Sequence, residues 1–293
     1  MKKIAVVDTD CHHGDGTQDI YWHDPDVLYI SIHQDGRTLY PGSGFPSEFG
    51  GPKAAGYTIN IPLPPLTGDE GILWAVEHVV LPVLEDFGPD LVINSAGQDN
   101  HFTDPITNMS FSALGYARLN ELLKPHVCVL EGGYSIEGAL PYVNTGIILA
   151  LAGLDYSYVR EPDYDPERVR QDPRVTEYIQ RLCEQIYDMW RNRSALAPEP
   201  RPFYERSRSI FYDTDSITER QHETLAYCTA CNGALRIDSR ASTGYRILAV
   251  HLPRGACSAC RSQAREWFDH PGGPYYAVYL QDLDADEFTV KIM

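Results

Sequence analysis

Asp8, Asp10 and His12 stand at alternate positions in the run Ile4-Ala5-Val6-Val7-Asp8-Thr9-Asp10-Cys11-His12-His13-Gly14-Asp15-Gly16-Thr17. In extended backbone every second side chain points the same way, so these three share one side of the segment. Two carboxylates and an imidazole ahead of a glycine-rich turn offer hard oxygen and borderline nitrogen to a divalent ion. The other reading of the same residues is turn formers and helix caps. Two further polar clusters of this kind follow, Gly97-Gln98-Asp99-Asn100-His101-Phe102-Thr103-Asp104-Pro105 and Glu131-Gly132-Gly133-Tyr134. Near the C-terminus, Cys228-Thr229-Ala230-Cys231 and Cys257-Ser258-Ala259-Cys260 are two CxxC pairs with a hairpin-sized spacer, the pattern of a four-thiolate zinc ribbon. Four thiolates leave no open coordination position, so zinc held there would be structural.

Each polar cluster needs a strand to place it. Ile4–Val7, Val27–His33, Leu91–Ala96 and His126–Leu130 are short apolar runs without alternation, as in strands buried on both faces. Tyr57–Leu63 is a further strand, placed at an edge by Pro62. Between them, Thr67-Gly68-Asp69-Glu70 has the form of a capping box, and Leu73, Val76, Val80, Val83, Leu84 and Phe87 recur at helical spacing with a kink expected at Pro82. Ser112–Leu123 is the next helix. Strand and helix alternate, which predicts a parallel sheet with helical crossovers and brings the three polar clusters to one edge. Asp172-Pro173 starts a helix with a core-facing stripe at Val175, Ile179, Leu182, Ile186 and Met189, and residues 195–202 are a Pro-rich linker candidate. The divisions expected are 1–155 for the α/β domain, 156–222 for a helical extension and linker, and 223–293 for a zinc-ribbon-like domain.

Composition narrows the partners. A formal net charge of −17 over 293 residues argues against nonspecific nucleic-acid binding. No run is long and apolar enough for a membrane span or a signal peptide, so the expected home is the cytoplasm. Seven cysteines, four of them in the CxxC pairs, suggest metal binding and not a disulfide scaffold.

Residues 4 to about 155 resemble the histone deacetylase and acetylpolyamine amidohydrolase family, through DTDCHHGDGT, SIHQDGRTLYPGSG, YTINIPLPPLTGDEG, VVLPVLEDFGPDLVINSAGQDNHFTDP and VLEGGY in the family's order. The resemblance implies an arginase-like α/β fold and a metal-dependent deacetylase releasing acetate from an acetylated amine, of acetyl-lysine or acetylpolyamine type. It implies Asp10, His12 and Asp104 as ligands of a catalytic zinc, for which iron(II) is an alternative. Tyr134 matches the tyrosine that polarises the amide carbonyl, and Asp8 and Asp15 match carboxylates that orient the family's catalytic histidines. Ser31 falls in the segment that helps hold a monovalent cation such as K+, and Tyr40 on the substrate channel wall.

The family's adjacent His-His pair lies upstream of the first motif, in a portion this chain lacks, and His12-His13 is not that pair. His101 is weighed as a substitute base and as a structural loop residue. The expectation is metal binding with hydrolysis reduced on the order of 10²–10⁴-fold when the chain acts alone, and an exposed inner strand that pairs with a complementing N-terminal fragment. The rival expectation is a noncatalytic metal- or partner-binding protein derived from a deacetylase.

Overall fold

The computed structural model describes residues 2–293, which fall into two compact units dividing between Ala197 and Pro198. In the first unit, β1 (Ile4–Asp8), α1 (Asp15–Tyr21), β2 (Val27–Gln34), β3 (Thr58–Leu63), α2 (Asp69–Ala75), α3 (Leu81–Phe87), β4 (Leu91–Ala96), α4 (Ala113–Leu123), β5 (Val127–Leu130), α5 (Leu140–Leu151), α6 (Pro173–Arg191) and the short α7 (Arg193–Leu196) follow in order. The five strands form one parallel sheet in the order β3-β2-β1-β4-β5. β3 is at an edge, as Pro62 predicts, because a residue without an N–H cannot donate to a ladder on both sides.

One face of the sheet carries Ala5, Val7, Leu28, Ile30, Ile59, Ile61 and Val92 into a large core shared with Ile72, Val76, Val79, Val83, Tyr116, Leu119, Val143, Ile179, Leu182, Ile186 and Trp190 of the helices. The other face carries a much smaller cluster of Val6, Val27 and Tyr29 with Ile4 and Tyr21. Ile30 is fully buried at the centre of the larger core. Ile30→Ala is expected to destabilise the first unit by about 2–5 kcal/mol, read as a shift of its transition in urea denaturation.

Three local expectations are corrected. No capping box forms: Gly68 is the N-cap of α2, and the Thr67 hydroxyl donates to the Pro64 carbonyl at 2.6 Å. Pro82 is accommodated by a π-helical turn at Val76–Val80, which lets α3 begin with Pro82 in its first turn, where a missing N–H costs nothing. The division expected near residue 222 falls inside a strand, and residues 203–222 are sheet and not linker.

The second unit is a six-stranded sheet in the order β11-β10-β9-β8-β7-β6. Its strands are β6 (Phe203–Tyr212), β7 (Ile217–Ala226), β8 (Ala234–Ala241), β9 (Arg246–Leu252), β10 (Ala277–Asp282) and β11 (Glu287–Ile292), with α8 (Ser258–Asp269) between β9 and β10. All pairs are antiparallel except β9 with β10, where α8 serves as the crossover. Leu248, Val250, Leu252, Val278 and Leu280 pack against Ala264 and Phe268 of α8. The strands expected between the CxxC pairs are present as β8 and β9, within a sheet broader than a ribbon. Among the described residues no helix is long and apolar enough to cross a membrane.

Candidate functional site

The C-terminal ends of β1, β4 and β5 lie side by side, and the loops leaving them are tied together by side-chain to backbone hydrogen bonds. The amides of His12 and Gly132 donate to Asp10 Oδ1 and Oδ2 at 2.8 and 2.7 Å, and the Cys11 amide donates to Asp99 Oδ1 at 2.8 Å. A Cβ on Gly132 would stand 2.6 Å from Asp99 Oδ2 and 2.7 Å from Asp10 Oδ2, so only glycine lets this loop close on the two carboxylates.

Asp10, His12 and Asp99 offer ligand atoms that lie within 4.8 Å of one another. His12 Nδ1 is 2.8 Å from Asp99 Oδ2 and 3.3 Å from Asp10 Oδ1. Burial opposes a charge on His12, but the hydrogen bonds from Asp10 and then Asp99 outweigh it and carry the imidazole up to about 10. Asp99, fully buried, is pushed up to about 6 by desolvation, against its bond to His12 and reinforced by the Asp10 charge. Neither carboxylate is paired with a lysine or arginine among the described residues. One half-buried and one buried carboxylate, answered by one imidazole, form a set that a divalent cation fits, by charge and by donor type.

Asp104 is not a member of this group. Its Oδ2 accepts the Tyr134 amide at 2.9 Å and its Oδ1 the Ile106 amide at 3.1 Å. Asp99 instead joins Asp10 and His12, and the signal for it was in the sequence, five residues before Asp104 in the same loop. Tyr134 is half exposed, and its ring meets the His12 ring edge-on at 6.4 Å between centroids. Burial first, then the charges of Asp99, Asp10 and Asp104, hold the phenol above its ordinary range, so it keeps its proton.

The remaining residues sit around this centre. Asp8 is pushed up to about 7, chiefly by burial, and its Oδ2 accepts the Tyr29 hydroxyl at 2.8 Å. Asp15 opens α1, and no imidazole pairs with the carboxylate of Asp8 or Asp15 among the described residues. Ser31, beside Asp8 in register, is buried with its Oγ on His33 Nδ1 at 2.8 Å. Tyr40 is exposed and precedes a cis peptide to Pro41. His13 is held by Ser43 and Gln18 at 2.9 and 3.1 Å, and His101 by Thr103 and Glu161, so neither histidine is free to serve as a base.

In the second unit the four cysteines converge as their spacing predicts. The Sγ atoms of Cys228 and Cys257 are 3.7 Å apart, those of Cys231 and Cys260 are 3.5 Å apart, and all four lie within 4.8 Å of one another. Cys257 is the N-cap of α8. The Cys260 amide, followed by the neighbouring thiols, lowers the Cys257 thiol to about 6, as helix N-termini do.

The parallel α/β sheet with polar loops at its carboxyl edge matches the fold of known deacetylases. The histone deacetylase domain model matches residues 1–149, half of the chain, and the protein belongs to that family. A probable deacetylase of Archaeoglobus fulgidus is 53% identical over 177 residues, covering 57% of this chain and 49% of that protein. The acetoin utilization protein AcuC of Bacillus subtilis is 36% identical over 180 residues, covering 58% and 46%. The crystal structure of the HDA15 HD domain is similar with a TM-score of 0.56 and 31% identity, over 66% of this chain and 54% of that one. An acetylpolyamine aminohydrolase from Burkholderia pseudomallei is similar with a TM-score of 0.50 and 35% identity, over 52% and 46%. The chain spans about half the length of the curated relatives it matches.

Proposed function

We propose that the first unit is a divalent-metal deacetylase centre acting on an acetylated amine, with zinc or iron(II) held by Asp10, His12 and Asp104 and with Asp99 fixing the His12 ring. The observation that supports the reading is the meeting of Asp10, His12 and the buried Asp99, in the same loop as Asp104, with a protonated phenol at the carboxyl edge of one parallel sheet. A divalent ion in such a site polarises a carbonyl and acidifies water. The Tyr134 hydroxyl donates a hydrogen bond to the developing oxyanion, and the acidic loops around it suit a cationic amine such as acetyl-lysine or an acetylpolyamine. Ser31, within β2, is the position at which a monovalent cation such as K+ would support the first loop, Tyr40 stands at the channel wall, and Asp8 and Asp15 would orient catalytic histidines.

Hydrolysis also needs a general base, and His13 and His101 are both engaged. β5 is the sheet edge at which a complementing polypeptide would add. Val127, Val129 and Leu130 are 45, 45 and 65% exposed, in a parallel strand of a kind normally covered on both faces and paired on both edges. A complementing polypeptide adding a strand beside β5 would cover this edge and supply the base. The four cysteines of the second unit hold a structural zinc, which suits a reducing, cytoplasmic setting.

A fluorogenic acetyl-lysine assay on the purified chain, with and without chelator, tests the reading. Tyr134→Phe is expected to lower turnover by about 10²–10³-fold while metal content stays unchanged, as for loss of one oxyanion donor. Tight metal binding with no turnover, even alongside the N-terminal part of a relative, favours the noncatalytic alternative instead.

A further inference from the structure

His101 and Glu161 form a buried pair that the site as described leaves without a task. They are 1 and 3% exposed, and His101 Nε2 lies 3.2 Å from Glu161 Oε1. The Thr103 amide donates to His101 Nδ1 at 3.2 Å, so Nδ1 is the acceptor and Nε2 carries the proton given to Glu161. The hydroxyls then line up in one direction. Ser135 Oγ donates to Thr103 Oγ1 at 2.6 Å, and Thr103 Oγ1 donates to His101 Nδ1 at 2.8 Å.

Both ends of this chain of bonds matter. Thr103 immediately precedes Asp104, Ser135 immediately follows Tyr134, and the Tyr134 amide rests on Asp104 Oδ2 at 2.9 Å. At the far end, Glu161 Oε1 also accepts the amide of Ala113 at the start of α4, at 3.2 Å, while Oε2 is buried with no partner among the described residues. A buried carboxylate with one unsatisfied oxygen costs stability, so packing alone does not account for it. Glu161 lies beyond residues 1–149, outside the stretch the family model matches. The segment that carries it is anchored in the first unit by Val159, 5% exposed in the core, and by Gln171, whose Oε1 accepts the Gly68 amide at 3.0 Å.

We propose that Glu161 is a positioning residue: acting through His101 and Thr103, it locks the loop bearing Asp99 and Asp104 to the loop bearing Tyr134, and so sets the distance between the metal ligands and the phenol. The proposal rests on the deacetylase reading for its purpose, but the lock itself is a property of the chain and is measurable without turnover. Glu161→Gln keeps an oxygen for the His101 Nε2–H and leaves the lock closed. Glu161→Ala removes it.

Hydrogen exchange on the full-length chain tests this with no metal added. Glu161→Ala is expected to speed exchange of the Tyr134 amide by about 10-fold or more while the β1 and β2 amides stay protected, because local opening is independent of global unfolding. Glu161→Gln is expected to exchange as the parent does. Ser135→Ala cuts the chain of bonds at its other end, exposes no buried carboxylate, and is expected to reproduce the effect at Tyr134, which covers a failure of Glu161→Ala to fold. Unchanged exchange at Tyr134 in Ser135→Ala and in folded Glu161→Ala, or a uniform rise across the unit, overturns the proposal. Cobalt(II) titration separates the two claims. If the parent chain binds cobalt in the first unit, Glu161→Ala should weaken that binding about 10–100-fold and alter the visible spectrum. If the parent does not bind, the deacetylase reading fails while the exchange result still decides the lock.

Discussion

Cys257→Ser is expected to lower the unfolding midpoint of the second unit by more than about 10 °C while leaving the first unit's transition in place. Apparent binding energies of four-thiolate zinc sites are on the order of 10–16 kcal/mol near neutral pH, and they act as folding energy because the unfolded chain presents no formed site. The second unit has an apolar core of its own around Leu248, Val250 and Phe268, so only part of that energy should appear as lost stability. A loss of about 3 kcal/mol is enough, at roughly 4–8 °C per kcal/mol for a domain of this size. The pH dependence has a definite sign. Cys257 is lowered to about 6 by the Cys260 amide and its neighbouring thiols, so it is a thiolate at neutral pH. Cys260 is pushed well above the ordinary thiol range, by burial first and then by the Cys231, Cys257 and Cys228 thiols, so it gives up its proton only to a metal. Zinc addition at pH 7 should therefore release protons to an indicator dye, and the site should empty as the pH falls below about 6. A Cys257→Ser chain that melts with the parent, or zinc addition without proton release, removes the structural-zinc assignment.

The parts of this molecule that were legible in its sequence share one physical property, which is that local composition and burial agree. β1 and β2 are buried throughout or nearly so and β4 at every second residue, so they read as short, mainly apolar runs, and the polar residues that end them mark the carboxyl edge of a parallel sheet. The CxxC pairs were equally plain, since their spacing alone determines what they can hold. β6 and the first half of β7 were hidden for the opposite reason. Glu205, Arg206, Ser207 and Arg208 face Thr224, Glu223, His222 and Gln221 across the ladder, so the pairing is made by polar side chains and no apolar alternation betrays a strand. Asp99 was overshadowed by Asp104, which carries the family motif. Its role depends on an approach to His12 across 87 residues, which no local pattern encodes. Glu161 is a longer-range case of the same kind, meeting His101 from 60 residues away. Thr67 had the right type and spacing for a cap, but the Pro64 carbonyl took its hydroxyl instead.

Asp10→Ala and His12→Ala are each expected to abolish metal binding in the first unit while the four-cysteine cluster keeps its own equivalent, so that the full chain falls from two bound ions to one. The same titration decides between the two acids of the loop after β4. Asp99 is fully buried, with Oδ1 on the Cys11 amide and Oδ2 on His12 Nδ1, which leaves His12 Nε2 with no hydrogen-bond partner among the described residues. That is the arrangement of a carboxylate that orients a ligating imidazole, and removing such a support typically costs 10–100-fold in metal affinity. Asp104 is nearer the surface, with one oxygen on the amide of Tyr134. Asp99→Asn should accordingly weaken binding by about 10–100-fold and Asp104→Asn by more than about 100-fold, since loss of a ligand exceeds loss of its support. Zinc competition against a chromophoric chelator reads both. The reverse order assigns the third ligand to Asp99 and makes Asp104 the support for Tyr134. Retention of both equivalents in Asp10→Ala removes the metal centre from this edge of the sheet, and the deacetylase reading with it.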